Sequence, residues 1–204
     1  MDLLRRIVSR EGEFLLFALT PPRASTGPEQ AQEIADVTLE RLERLGVDGL
    51  ILYDIDDESD RNPDERPFPF LPTMDPADYL DRHLQRWDAP VIVYRATSKY
   101  PERDLRDWMR AQNTARRMAV LVGASSQERP VATTLRRAQQ LRAEVNPDLL
   151  LGGVAIPERH TRKGDEHLRL VAKQEAGCSY FVTQIVYDVN AAKLDCGPAL
   201  ALPH

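Results

Sequence analysis

Apolar and β-branched residues recur along the chain in six short runs: FLLFALT (14–20), GLILYDI (49–55), PVIVYRA (90–96), MAVLVGA (118–124), LLLGGVAI (149–156) and YFVTQIVYD (180–188). Most are continuous rather than alternating, the pattern of parallel strands covered on both faces. Each gap between them holds one amphipathic helix. The first is the clearest: Ala31, Ile34, Ala35, Thr38, Leu42 and Leu45 form one stripe, Thr26 and Glu29 stand at capping-box spacing, and Gly46 supplies the stop. Asp75-Pro76 starts another helix, Pro101 and Pro130 each fall at a first turn, and Asn146-Pro147 and Gly177 end two more.

Strands alternating with single helices predict a parallel sheet with right-handed crossovers, built either as a doubly wound open sheet or as a (β/α)8-type barrel. Gly123 and the pair Gly152-Gly153 belong to no GxGxxG or GxxxxGK[ST] signature, so the dinucleotide and P-loop versions lack their usual mark. The expected class is therefore α/β, a TIM-barrel-like (β/α) repeat with about six parallel strands and five intervening helices. It is expected to be incomplete. One domain covers residues 1–204, because after Tyr187-Asp188 the remaining VNAAKLDCGPALALPH is too short for another helix and strand and reads as an irregular tail over 189–204. Open strand edges on both sides of such an arc invite pairing with another chain. A homo-oligomer through those edges is the resulting expectation, which a monomeric sedimentation profile at high concentration would remove.

A chain of 204 residues with 42% hydrophobic content can bury one good core. Its net charge of −5 offers no basic field for a phosphate backbone, so no nucleic-acid partner is expected. No run of 18 apolar residues and no cleavable leader are visible, which points to a cytoplasmic protein without a membrane partner. Cys178 and Cys196 lack CxxC spacing, and His83, His160, His167 and His204 are scattered, so no metal site is expected.

Segments at the strand ends, where parallel α/β folds carry their chemistry, resemble those of the methylenetetrahydrofolate reductases. Phe17-Ala18-Leu19-Thr20-Pro21-Pro22 is similar to that family's first-strand FEFFPP. Leu52-Tyr53-Asp54, followed by Asp57-Glu58-Ser59-Asp60-Arg61, resembles its second strand and GERDR-like run. Ala155-Ile156-Pro157-Glu158-Arg159-His160 resembles the PExH segment, Lys173 to Gly177 the helix end K-x-D-A-G, and Phe181-Val182-Thr183-Gln184-Ile185-Val186-Tyr187-Asp188 the ITQxxFD strand. The matching order spans residues 14–188. The resemblance implies a (β/α)8 barrel that takes FAD and reduces methylenetetrahydrofolate with NAD(P)H, in one-carbon metabolism and methionine biosynthesis.

By the same resemblance Gln184 would hydrogen-bond the pterin, and His160, Glu166 and Lys173 would contact FAD, with Tyr53 stacking on its isoalloxazine. Each has a plainer reading: a Gln tying loops, a loop His, a first-turn Glu, a helix-surface Lys, a core aromatic. The departures concern chemistry. Opening an N–CH2–N ring needs an acid to protonate the leaving nitrogen, and Ala18 stands where the family has its Glu. Asp54, Asp56 and Glu158 are the strand-end carboxylates that could substitute. Val122 and Ala124 stand where the family has the Arg and Asp of LRGD, which weakens the implied FAD site.

The segment from Asp56 to Asp75, acidic and then proline-rich, is long enough for a lid, with Phe68 and Phe70 as its large apolar contacts, or is simply a solvated loop. Three functions follow. The first is a short methylenetetrahydrofolate reductase-like oxidoreductase passing hydride from NAD(P)H with or without FAD; no ribose-reading position separates NADH from NADPH. The second is a folate- or nucleotide-binding homologue without turnover. The third is a truncated remnant of a longer reductase, motivated by the loss of pattern after Lys193.

Overall fold

The computed structural model describes residues 3–56, 71–124, 130–159, 164–187 and 189–190. The sheet has six strands, β1 (Leu16–Leu19), β2 (Gly49–Leu52), β3 (Val91–Ala96), β4 (Arg117–Val122), β5 (Leu151–Ala155) and β6 (Cys178–Thr183), in the order β1-β2-β3-β4-β5-β6 with every pair parallel. A doubly wound sheet reverses its strand order part-way; this one never does. The strands form a curled half-barrel of TIM-barrel type, as the apolar pattern predicts.

Helices α2 (Pro28–Leu42), α3 (Pro76–His83), α4 (Glu102–Arg110), α5 (Leu135–Val145) and α6 (Glu166–Glu175) fill the crossovers. The strands sort their side chains by period 2. Leu50, Leu52, Val91 and Val93 face the helix layer with Ala31, Ala35 and Leu80, and Ala119 and Leu121 do the same with Leu105, Met109 and Leu141. The alternate residues Ile51, Ile92, Tyr94, Met118 and Val120 face the concave side.

That concave side is closed from below by a helix the periodicity does not reveal. Helix α1 (Leu3–Ser9) buries Leu3, Leu4 and Ile7 against Ile51, Ile92 and Met118, and Arg6 ties it to the start of β2 through Asp48 at 3.0 Å. Two turns with three apolar residues carry too little pattern to be read as an element.

The helix boundaries differ from the expected ones in two places. Helix α2 begins at Pro28 with Gly27 as its cap and no side-chain cap bond, because proline at the first position presets φ and needs no donor there; Thr26 instead closes a turn onto Arg23. Pro130 lies upstream of α5, whose cap is Thr134, accepting from Arg137 N at 3.2 Å. Asp75 caps α3 as expected, accepting from Ala77 N and Asp78 N. Strands β1 and β6 form the two edges, and Phe14, Leu15 and Phe17 stay exposed at the first while Ile185, Val186 and Tyr187 do so at the second.

Among the described residues no helix is long and apolar enough to cross a membrane, and no group of His, Cys, Asp or Glu could hold a metal ion.

Candidate functional site

Because all six strands point the same way, their C-terminal ends converge on one mouth. It holds a cavity of about 1180 Å³, lined on one side by Tyr53, Asp54, Tyr94 and Val122 and on the other by Val154, Ile156, Glu158, Arg159 and residues 183–187. Smaller cavities of about 490 and 450 Å³ lie beside α1, the first against β6 and the second in the gap between β1 and β6.

The β2 and β3 side of the mouth is aromatic. Tyr53 and Tyr94 meet edge to face with ring centroids 4.9 Å apart. Burial, helped by Tyr53, holds the Tyr94 phenol far above its usual range, so it is a neutral hydroxyl at any physiological pH. A flat ring placed here meets apolar faces and phenol edges.

Behind this wall a buried polar network fixes the strand ends. Asp54 accepts from Ala96 N at 2.7 Å, Lys99 Nζ at 2.6 Å and the Tyr100 hydroxyl at 2.9 Å. The same hydroxyl lies 2.9 Å from Asp75, which receives both of its short 2.7 Å contacts from Arg95 Nη1. The Arg95 guanidinium is stacked 3.9 Å from the Tyr100 ring centroid and 4.9 Å from that of Trp108. Burial pushes the Tyr100 phenol far up, and the flanking Asp54 and Asp75 add to this while Arg95 opposes it. The hydroxyl therefore keeps its one proton, which it shares between the two carboxylates at 2.9 Å from each.

The β5 and β6 side is polar. Glu166, the first residue of α6, is fully buried and accepts from Ile156 N at 3.0 Å and from Arg159 Nη1 at 3.3 Å. Glu158 accepts from Tyr187 N at 3.1 Å, joining the ends of β5 and β6. Lys173 donates to the Val154 carbonyl, and burial pulls its ammonium below the usual lysine range, with Glu166 opposing.

Among the residues singled out by sequence, Tyr53, Asp54, Glu158 and Gln184 line the cavity together with Val122. Gln184 is not within a strand: β6 ends at Thr183, and Gln184 is exposed just beyond it, its backbone N still donating to Ala155 O at 2.9 Å. Asp56 accepts from Ser98 Oγ at 3.2 Å, and Ala18 is exposed in the edge strand β1 opposite Ile51. Glu166 and Lys173 spend their polar atoms on the protein and Ala124 is exposed, so of the described positions assigned to a flavin only Tyr53 and the apolar Val122 line the cavity. His160, Phe68, Phe70, Asp188, Cys196, His204 and the tail from 191 lie outside the described residues.

Sequence reasoning missed Tyr94 and Arg159 as site residues. The signal for Tyr94 was its parity with Ile92 at a strand's C-terminal end. Arg159 had none beyond its place shortly after a strand.

The fold and mouth thus define a (β/α) half-barrel with a strand-end cavity, aromatic on one side and polar on the other. No protein-family model matches the chain, and no curated protein does. Among solved structures it matches, at 38% sequence identity and a TM-score of 0.80, an uncharacterized protein from Clostridium thermocellum that binds two copies of 5-methyl-5,6,7,8-tetrahydrofolic acid. The match covers 95% of this chain, which spans 61% of the length of that protein.

These findings correct the assignment to the methylenetetrahydrofolate reductases. Nothing in them points to a reductase, and a solved structure that the chain matches at 38% identity is that of a methyltetrahydrofolate binder. Physically, much of the resemblance lay in features any such βα frame needs, such as the stop at Gly177 with φ of +95° and apolar strand ends, whereas the acid at position 18 and the polar pair at 122 and 124 were missing.

Proposed function

We propose that this chain binds a reduced folate of the 5-methyltetrahydrofolate type in its strand-end cavity, without turning it over. The observation that carries the reading is the 38% identity, across 95% of the chain, to a protein that binds that molecule. The cavity supports it: a pteridine is flat with hydrogen-bonding edges, and the mouth offers the Tyr53 and Tyr94 rings, the Gln184 amide and the Glu158 carboxylate. At about 1180 Å³ it also exceeds the roughly 300–1,000 Å³ typical of a single-ligand pocket. The matched protein binds two copies, and more than one folate per chain is the corresponding expectation here.

Binding without turnover is favoured by the state of the available acids. Ala18 carries none, Asp54 is engaged by Ala96 N, Lys99 and the Tyr100 hydroxyl, Asp56 accepts from Ser98, and Glu158, which lines the cavity, accepts from Tyr187 N. Isothermal titration with 5-methyltetrahydrofolate should show saturable binding at more than one equivalent. Gln184→Ala should weaken it about tenfold, the low end of the ~1–3 kcal/mol set by leaving a polar partner unmatched. Absence of heat at millimolar ligand would end the reading. Oxidation of NAD(P)H upon adding methylenetetrahydrofolate would refute the claim that there is no turnover, and a yellow purified protein would put a flavin in the cavity instead.

A further inference from the structure

We propose that Arg159 is the anion-reading residue of the strand-end cavity, holding a carboxylate at the tail of the ligand, and that Glu166 is its positioning residue. The assignment of the tail rests on the folate reading above; the anion site itself does not.

Arg159 is the one cation among the described residues that line the cavity. Its side chain is 27% exposed, and its contact with the protein is made from one nitrogen, Nη1, to a carboxylate that is itself 0% exposed. A guanidinium has five N–H donors in a planar fork suited to a carboxylate. With one edge spent on Glu166, the other is available for a ligand.

Burying Glu166 is costly unless partners compensate, and those it has explain its place. Ile156 N and Arg159 both bond to it, so it fixes the backbone leaving β5 and the direction of the guanidinium together. Glu166 also acts electrostatically on Lys173, whose ammonium is committed to the Val154 carbonyl. Two cations thus share one buried carboxylate, and with the Glu158 carboxylate at the same rim the local charge sums to zero, so Arg159 reads an anion through its free N–H donors rather than through a net positive field. Glu158, the neighbouring acid, accepts from Tyr187 N.

The separation fits an elongated ligand. Tyr94 is on β3 and Arg159 follows β5, two strands away, which at ~4.8 Å per strand places ring and anion sites about 10 Å apart. The ligand class is a flat heteroaromatic ring joined by a linker to a carboxylate.

The test is a set of titrations of the whole chain and its variants Arg159→Gln, Arg159→Lys and Glu166→Gln, each with 5-methyltetrahydrofolate and with 6-methyltetrahydropterin, which keeps the ring and lacks the tail. Arg159→Gln should weaken the folate about tenfold or more, as loss of a charge-assisted contact does, and leave the pterin unchanged. Arg159→Lys should recover part of the loss. The salt dependence of folate binding should disappear in Arg159→Gln. Glu166→Gln keeps an acceptor for Ile156 N and should weaken the folate alone; a purely structural role would weaken both ligands. Equal losses for both ligands in Arg159→Gln, or no loss, overturn the proposal. If the wild type binds neither, the folate reading falls, and p-aminobenzoyl-glutamate decides Arg159: binding lost in Arg159→Gln sustains the anion site, and no binding by the wild type overturns it.

Discussion

Asp75→Ala is expected to lower the unfolding free energy by about 3 kcal/mol, toward the low end of the ~3–5 kcal/mol that follows removal of one partner of a buried ion pair, since the Asp75 side chain is still 26% exposed. The substitution does three things at once. It leaves Arg95, whose side chain is 6% exposed, without its counter-ion. It removes the cap of α3, and it takes one acceptor from the Tyr100 hydroxyl that joins Asp75 to Asp54.

The effect should depend on pH. Burial alone would raise the Asp75 carboxyl, but Arg95, the Asp78 amide and the Tyr100 hydroxyl outweigh it and hold it below the ordinary value. A carboxyl depressed in the folded state contributes its full stability above its unfolded pKa, near 3.9, and loses it as pH falls through the lower folded value. Urea melts of the wild type and Asp75→Ala should therefore differ most above about pH 4 and converge below it. A gap of under 1 kcal/mol at pH 7, or one that does not narrow in acid, would show that the network is not what holds the β2 and β3 ends.

The second large effect is at Gly152. A Cβ there would stand 2.4 Å from the Tyr180 ring. That ring cannot readily give way, because its hydroxyl donates to Ala119 O at 3.0 Å and it packs with the concave cluster. Gly152→Ala should cost about 3 kcal/mol, the upper part of the ~1–3 kcal/mol range for overpacking. In a Tyr180→Ala background the same change should cost much less, and a double-mutant cycle would read the coupling. Equal costs in both backgrounds would mean that the ring is not the obstacle. The glycine pair that carries no phosphate-binding signature is thus explained by close packing between β5 and β6, at the point where their register shifts.

How much of this was legible can be seen in single residues. Ile92 and Val93 belong to a continuous apolar run, and that run announced a strand buried on both faces. Arg95 stood in the same run and looked like its polar end, yet it is buried against an aspartate 20 positions earlier. Lys173 and Glu166 were read as ligand contacts from motif position alone. The structure turns both toward the protein, because their helix packs its first turn and inner face on β5. Helix α1 was missed since its energetics lie in the surface it covers, not in any periodicity of its own.

The chain's sequence by itself determined the parallel βα order, the placing of a mouth at the strand ends and the absence of an acid at position 18, because continuous apolar runs, single amphipathic crossovers and residue identity are local properties. Only the tertiary structure decided which polar groups meet there. The Asp54, Tyr100 and Asp75 cluster joins residues 25 and 46 positions apart, and Arg159 becomes a cavity cation only through a buried Glu166 beyond the next turn. Such meetings depend on how the sheet curls and which face each strand end presents, and neither is written in the spacing of residues along the chain.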